Sequence, residues 1–177
     1  MPAVNFNVNR LNHVAWRCRD AEETRAFYED ILGLPLAHVV CEDRVPSTGE
    51  STSFVHVFFR MRDGSFVAFF DIGDGQGASD PTTPSWLNHL AMSVGSEEEL
   101  EAARQRLLDA KVDVIGIVDH DWLKSIYFHD PNGLRLELSY QVGDESTLEG
   151  FSRAARDTLD RWTSAHPRSA GAMEVKS

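Results

Sequence analysis

Seven histidines occur in this 177-residue chain, and two of them stand at equivalent places in a repeat. Leu11-Asn12-His13-Val14-Ala15 returns 76 residues later as Leu87-Asn88-His89-Leu90-Ala91. A lone histidine in a strand is more often a hydrogen-bonded structural residue than a ligand. A histidine at the same point of both copies changes that weighting, because two copies around a pseudo-two-fold axis would bring the pair together. Glu137 is the third candidate. In Leu134-Arg135-Leu136-Glu137-Leu138-Ser139 the leucines share one face of a strand, and Arg135, Glu137 and Ser139 share the other. A carboxylate in a cleft is rarely left without a partner, so a cation beside Glu137 is expected, and Arg135 is the rival to a metal ion. Two histidines and one carboxylate with open positions are the set that suits non-haem Fe(II) in oxygen chemistry, although Zn, Ni or Mn could sit on the same donors.

The elements that position these groups can be read from local pattern. Seven positions after each repeated histidine comes a helix-capping residue, Asp20 or Ser96, and three further on a glutamate, Glu23 or Glu99. That is the reciprocal arrangement in which the cap bonds the third amide while the glutamate reaches back. The first copy reads as a strand over 11–18 with His13 on the face of Ala15, and a helix from Asp20 to about Leu32. That helix turns Ala26, Phe27, Ile31 and Leu32 to the sheet and ends at Gly33. A strand over 35–40, a polar loop over 41–53 and two strands over 54–61 and 65–72 joined by Arg62-Asp63-Gly64 complete it.

The second copy follows the Gly-, Ser- and Pro-rich linker 73–84. It has a strand over 87–94, a helix from Ser96 to about Ala110, and strands over 112–118, 125–129 and 134–140, the last two joined by Asp130-Pro131-Asn132-Gly133. Each copy is therefore β-α-β-β-β. The predicted fold class is α+β, two such modules forming one curved sheet around a metal cleft, plus a C-terminal helical extension. A single domain spans 1–142, with module 1 over about 9–73 and module 2 over about 85–142. Residues 1–10 read as a loose leader or edge strand. Residues 143–177 read as a C-terminal helix and disordered tail. The helix, over 149–162, carries an apolar stripe of Leu148, Phe151, Ala155, Leu159 and Trp162 that packs on its own domain or on another subunit, and the tail is 167–177.

Composition excludes several classes. Hydrophobic residues make up 42% of the chain, yet no apolar run approaches the roughly 18 residues of a membrane helix. The start Met-Pro-Ala-Val-Asn-Phe has neither a basic region nor an apolar core, so no secretory signal is expected. Two cysteines, Cys18 and Cys41, make no disulfide framework and fit a cytoplasmic protein. A net charge of -11 argues against a nucleic-acid partner. The expected partners are a small molecule and a second copy of the chain, with no nucleic acid and no membrane.

The paired modules, the Asn-His start of each, and Ser125-Ile126-Tyr127-Phe128-His129-Asp130-Pro131-Asn132-Gly133 followed by Glu137 resemble the vicinal oxygen chelate superfamily. That superfamily includes glyoxalase I, type I extradiol dioxygenases and bleomycin-resistance proteins. The resemblance covers about residues 9–142. It implies metal ligands at His13, His89 and Glu137. Glyoxalase I commonly adds a glutamate on the fourth strand of its first module and uses it as a base. Here that strand reads Phe66-Val67-Ala68-Phe69-Phe70-Asp71, with Asp71 at its end as a loop or capping group. A three-ligand set favours the extradiol class. That class has a tyrosine ten residues before the final glutamate, matched by Tyr127, and polar residues some six before it, matched by His120 and Asp121. Its acid-base histidine falls on Ser65 or Phe66, leaving His56 as the nearby substitute.

The resemblance thus implies a divalent-metal-dependent enzyme, similar to extradiol ring-cleaving dioxygenases, that chelates a vicinal diol or hydroxy-carbonyl substrate. Its metal, Fe(II) first, would sit at a 2-His-1-carboxylate site with Tyr127, His120 and His56 as catalytic groups. Phe54, Phe58, Phe69, Phe70 and Trp122 could line a pocket for an aromatic substrate. The first alternative is a glyoxalase I-like lyase or isomerase using Zn, Ni or Mn. The second is a metal-free binding protein of the bleomycin-resistance kind. His38, His129 and His166 have no expected role.

Overall fold

The computed structural model describes residues 8–79, 82–84 and 86–166. The expected disordered tail over 167–177 and the first seven residues of the expected leader lie outside the described residues.

Both capping signals act as read, in their first half. Asp20 accepts the Glu23 N–H at 2.7 Å and Ser96 accepts the Glu99 N–H at 3.2 Å. The return half differs: Glu23 turns to the Arg19 guanidinium, and Glu99 takes the Gly95 N–H at 2.7 Å. Helix α1 (Ala21–Arg25) continues as a wider π-helical turn over Ala26–Ile31. Leu32 N–H closes on the Phe27 carbonyl five residues back, and Gly33, at φ 75°, ends the segment. Tyr28 joins Thr24 and Phe27 on the buried stripe, while Ala26, Ile31 and Leu32 are only partly covered.

Strands β1 (His13–Arg17), β2 (Leu36–Glu42), β3 (Phe54–Arg60) and β4 (Phe66–Asp71) form one sheet in the order β1-β4-β3-β2, with β1 parallel to β4. Strands β5 (His89–Ser93), β6 (Ile115–Asp119), β7 (Leu123–His129) and β8 (Arg135–Gln141) form a second in the order β5-β8-β7-β6, and α2 (Glu97–Asp109) covers it. The two β-α-β-β-β modules are thus present, but as two four-stranded sheets in place of the expected single curved one. The reason is in the core. Val57, Phe59, Val67 and Phe69 of the first sheet, Ile126, Phe128, Leu136 and Leu138 of the second, and Phe27, Tyr28, Leu100 and Leu107 of the helical segments belong to one continuous buried cluster. The modules therefore meet through their helix-bearing faces, and the helix-free faces, carrying exposed His13, Ala15, His89 and Ala91, are left on the outside.

The joint between the modules is polar and buried. One Asp130 carboxylate oxygen closes its own turn by accepting the Asn132 and Leu134 N–H groups at 2.9 and 2.8 Å, and the other accepts the Tyr28 O–H at 3.1 Å. Burial is the main cause that pushes the Asp130 carboxyl above its ordinary value, and burial likewise keeps Tyr28 a protonated donor. The Asn132 side chain donates to Thr24 and Asp130, each at 3.1 Å, and accepts the Arg19 N–H at 3.0 Å. Its backbone carbonyl takes the Ala78 and Ser79 N–H groups of the linker. A Cβ on Gly77 would stand 2.4 Å from that carbonyl oxygen, so the linker passes here only as glycine.

Helix α3 (Glu145–Ala165) is longer than expected, capped by Asp144. It touches the body where Phe151 meets Trp122, with ring centroids 5.6 Å apart. None of its residues is buried, and Phe151, Leu159 and Trp162 stand about half exposed. No helix among the described residues is long and apolar enough to cross a membrane.

Replacing Asn132 by alanine strands three partners at the joint, so Asn132→Ala should lose about 2–4 kcal/mol in urea unfolding. Glu149→Ala on the open helix should stay within about 0.5 kcal/mol of wild type. A wild-type midpoint for Asn132→Ala would show that the joint is not what holds the modules.

Candidate functional site

The helix-free face of module 2 gathers four of the six expected site residues. Pairing of β5 with β8 sets His89 beside Arg135 and Ala91 beside Glu137, and pairing of β7 with β8 sets Tyr127 opposite Glu137. His89 Nε2 lies 3.1 Å from Glu137 Oε2, and the Ser125 hydroxyl donates to Oε1 at 2.6 Å. Flanked in this way, Glu137 is only 5% exposed although no helix covers it. The Tyr127 hydroxyl and His120 Nε2 are 2.8 Å apart. Burial, and then the Glu137 charge, hold the Tyr127 phenol above its ordinary value, so it keeps its proton. Arg135 does not pair with Glu137; its guanidinium lies over the Tyr127 ring, 4.6 Å from the centroid.

Ser125 was not singled out from the sequence. The signal was available, since Ser125 shares a strand face with Tyr127 and β7 pairs with β8. Asp121 has no part: it sits in a turn at φ 67°, its N–H bonded to Asp119. Asp71 caps the start of α1 by accepting the Ala21 N–H at 2.9 Å.

The helix-free face of module 1 is aromatic. His13 Nδ1 lies 2.7 Å from the Asn12 side-chain oxygen, and its ring meets His56 and Phe58 edge-on at 6.2 and 5.7 Å. His56 stacks on Phe70 at 3.6 Å and abuts Phe58 at 4.1 Å, and Phe54 meets Phe70 at 5.4 Å. Phe54, Phe58 and Phe70 thus share this wall. Phe69 does not: it points to the opposite face, fully buried against Tyr28 and Phe59. Trp122 is placed against α3 instead. Burial first, then the charges of His13 and His38, lower the His56 pKa to about 4. Its Nε2 is shielded without a hydrogen-bond partner.

His13 therefore stands with His56, and His89 with Glu137. Among the described residues, no group of three or more His, Cys, Asp and Glu side chains converges to hold a metal ion. One chain supplies two donors of the expected triad together and the third on a different sheet, because the modules join through their other faces. The two thiols add nothing: Cys18 is buried, and burial pushes it up to about 11, while Cys41 is exposed and alone.

A histidine whose folded pKa lies below its unfolded value is bound by a proton in the unfolded chain first, so stability falls as pH drops through the window from about 6.5 to about 4 and levels off below it. His56→Phe keeps the stacked ring and removes that loss. The drop in melting temperature between about pH 7 and about pH 5 should be smaller for His56→Phe than for wild type; equal drops would mean that His56 titrates normally.

Comparison with known proteins places the fold. The profile of the Glyoxalase/Bleomycin resistance protein/Dioxygenase superfamily matches residues 10–138. No curated protein matches the chain. Among solved structures, a variant of the fosfomycin resistance protein FosX from Listeria monocytogenes, complexed with Mn(II) and dihydroxypropylphosphonic acid, is similar at 19% identity and a TM-score of 0.56, over 80% of this chain and 98% of that one. A glyoxalase/dioxygenase from Nostoc punctiforme is similar at 21% identity and TM-score 0.54, over 80% of this chain and 100% of that one. The antibiotic-binding protein TnmS3 from Streptomyces is similar at 20% identity and TM-score 0.54, over 77% and 99%. With the profile spanning most of its length and the duplicated β-α-β-β-β fold in place, this chain belongs to the glyoxalase/bleomycin resistance protein/dioxygenase superfamily.

Proposed function

We propose that the chain is a cytoplasmic, divalent-metal-dependent enzyme that chelates a vicinal diol or hydroxy-carbonyl substrate, with ring-cleaving dioxygenation at Fe(II) as its reaction. The observation that carries this reading is the buried Glu137 carboxylate, held between His89 and Ser125 on an open sheet face beside the Tyr127–His120 pair. A carboxylate so placed with an imidazole nitrogen is a pair of metal donors with an oriented neighbour. His13 is the third donor, and we assign it to a second copy of the chain, since within one chain it lies on the other sheet. The open faces and the half-exposed stripe of α3 give that second copy surface to cover.

A divalent ion bound there would act as Lewis acid and template, lowering the pKa of a substrate hydroxyl. The protein's own groups do the rest. Ser125 fixes the carboxylate, and Tyr127, protonated and bonded to His120, is placed to hold or pass a proton at a substrate oxygen. His56 is uncharged at neutral pH and lies beside His13, so it brings an imidazole without adding positive charge to the site. The aromatic wall of Phe54, Phe58 and Phe70 would face the ring of the substrate. The Mn(II) of the FosX structure makes Mn the first alternative ion, with a lyase or isomerase reaction.

Protein purified without oxygen should carry about one iron per chain and consume O₂ with catechols. Zinc, nickel or manganese without uptake would replace the reaction by a lyase or isomerase, and a chain that binds no metal after reconstitution would be a binding protein. The two-copy site has its own test. His13→Ala and Glu137→Gln chains should each lose metal alone. Co-expressed, they should recover roughly a quarter of wild-type metal, because half the dimers are mixed and each of those keeps one intact site. Absence of recovery would return His13 to its own chain or remove it from the site.

A further inference from the structure

Most arginines of this chain are paired. Arg17 meets Asp74, Arg25 meets Glu22, Glu29 and Asp30, Arg104 meets Glu101, and Arg106 donates to the Asp30 carbonyl. Arg135 is different. It is partly buried, its Nε is shielded from solvent with no acceptor, and no acceptor among the described residues takes a hydrogen bond from its guanidinium. Arg17 and Arg104 also have a shielded Nε, but each is ion-paired through its terminal nitrogens. The carboxylate two residues along the strand, Glu137, is held by Ser125 and His89 instead.

A shielded Nε–H without an acceptor is costly unless something outside the chain supplies one, and the unshielded terminal nitrogens of Arg135 are open to the same partner. Stacking over the Tyr127 ring uses the face of the group and leaves its edge of N–H donors free, a fork that matches a carboxylate with two parallel bonds. Arg135 also lines a cavity of about 400 Å³ whose other walls include His89 and the apolar Trp16, Pro84, Leu87 and Leu134. That volume suits a small molecule, and the lining suits an apolar ring with one charged end. Arg135 and Glu137 stand two positions apart on the strand, about 7 Å, close to the span of a substituted benzene ring.

On the reading that His89 and Glu137 take a chelating substrate, we infer that Arg135 anchors a carboxylate on that substrate. The substrate class is then an aromatic acid that carries its oxygen pair on the far side of the ring from its carboxylate. Arg135 sets specificity, by charge and direction, while the donors of the site do the chelating.

The test is calorimetric binding of 3,4-dihydroxybenzoate, catechol and benzoate to metal-free and Mn(II)-loaded protein, for wild type, Arg135→Lys and Arg135→Met. Wild type should bind the dihydroxy acid about tenfold or more tightly than catechol. Arg135→Met should lose most of that preference with catechol affinity unchanged, and Arg135→Lys should keep part of it, having charge without the fork. Benzoate should bind metal-free wild type and not metal-free Arg135→Met. That last arm needs no metal, so a protein that holds no ion would sink the chelation reading while leaving the anion site standing. Equal acid binding by wild type and Arg135→Met would overturn the assignment. So would an equal loss of catechol binding in Arg135→Met, which would mean that Arg135 only packs Tyr127.

Discussion

The structure depends on a buried turn. Asp130 and Asn132 satisfy one another and reach across to Tyr28, Thr24 and the Arg19 amide of the other module, while the Asn132 carbonyl takes up the linker. Apolar packing between the modules gives affinity without direction, and two β-α-β-β-β units can meet through either face of their sheets. Directional hydrogen bonds among buried groups restrict that choice, because each unmet donor or acceptor costs about as much as several methylene contacts contribute. The turn thereby decides that the helix-bearing faces close on each other. It decides, too, that the faces with the histidines stay open.

That arrangement explains the division between the two copies. Both begin Asn-His, but their open faces have diverged in kind. Module 1 presents stacked rings around His13 and His56, whereas module 2 presents a carboxylate, hydroxyls, an imidazole pair and a guanidinium. The same backbone unit has been filled once with groups that bind by area and once with groups that bind by charge and direction. Neither face holds both kinds of group, since one lacks polar specificity and the other lacks the stacked rings.

Much of this was legible in the sequence. The repeat gave the duplicated unit, the caps gave both helix starts, and alternation along Leu134–Ser139 gave the side of the sheet on which Glu137 lies. Periodicity reports which face of its own strand a residue takes; it does not report which face of a sheet another module will cover. The single curved sheet and the convergence of His13 with His89 required that second kind of knowledge, which resides in Asn132 and in Tyr28 and Thr24, both far from it in the chain. Tyr28 shares a helical face with Thr24 and Phe27, four and one residues before it, and escaped because the hydroxyl at its tip masks it in an apolar pattern. Phe69 was misplaced for a related reason, since a continuous run of apolar residues hides the alternation that would have sorted it from Phe70. Arg135 looked like a partner for Glu137 because both share a face, yet the His89 imidazole reaches Glu137 from the adjacent strand at 3.1 Å while the Arg135 guanidinium turns over the Tyr127 ring.

The strands β7 and β8 are joined by only five residues, from Asp130 to Leu134, and their pairing opposes Tyr127 to Glu137. Side chains along a strand alternate, so one residue gained or lost in that joint would turn Glu137, Arg135 and Ser139 inward and bring Leu136 and Leu138 out. The loop after β2 has no such constraint, being largely exposed and joined to neither β7 nor β8. Lineages of this protein can therefore vary in length around residues 43–53, while the spacing from Tyr127 to Glu137 is held by geometry, whatever the chemistry on the open face comes to be.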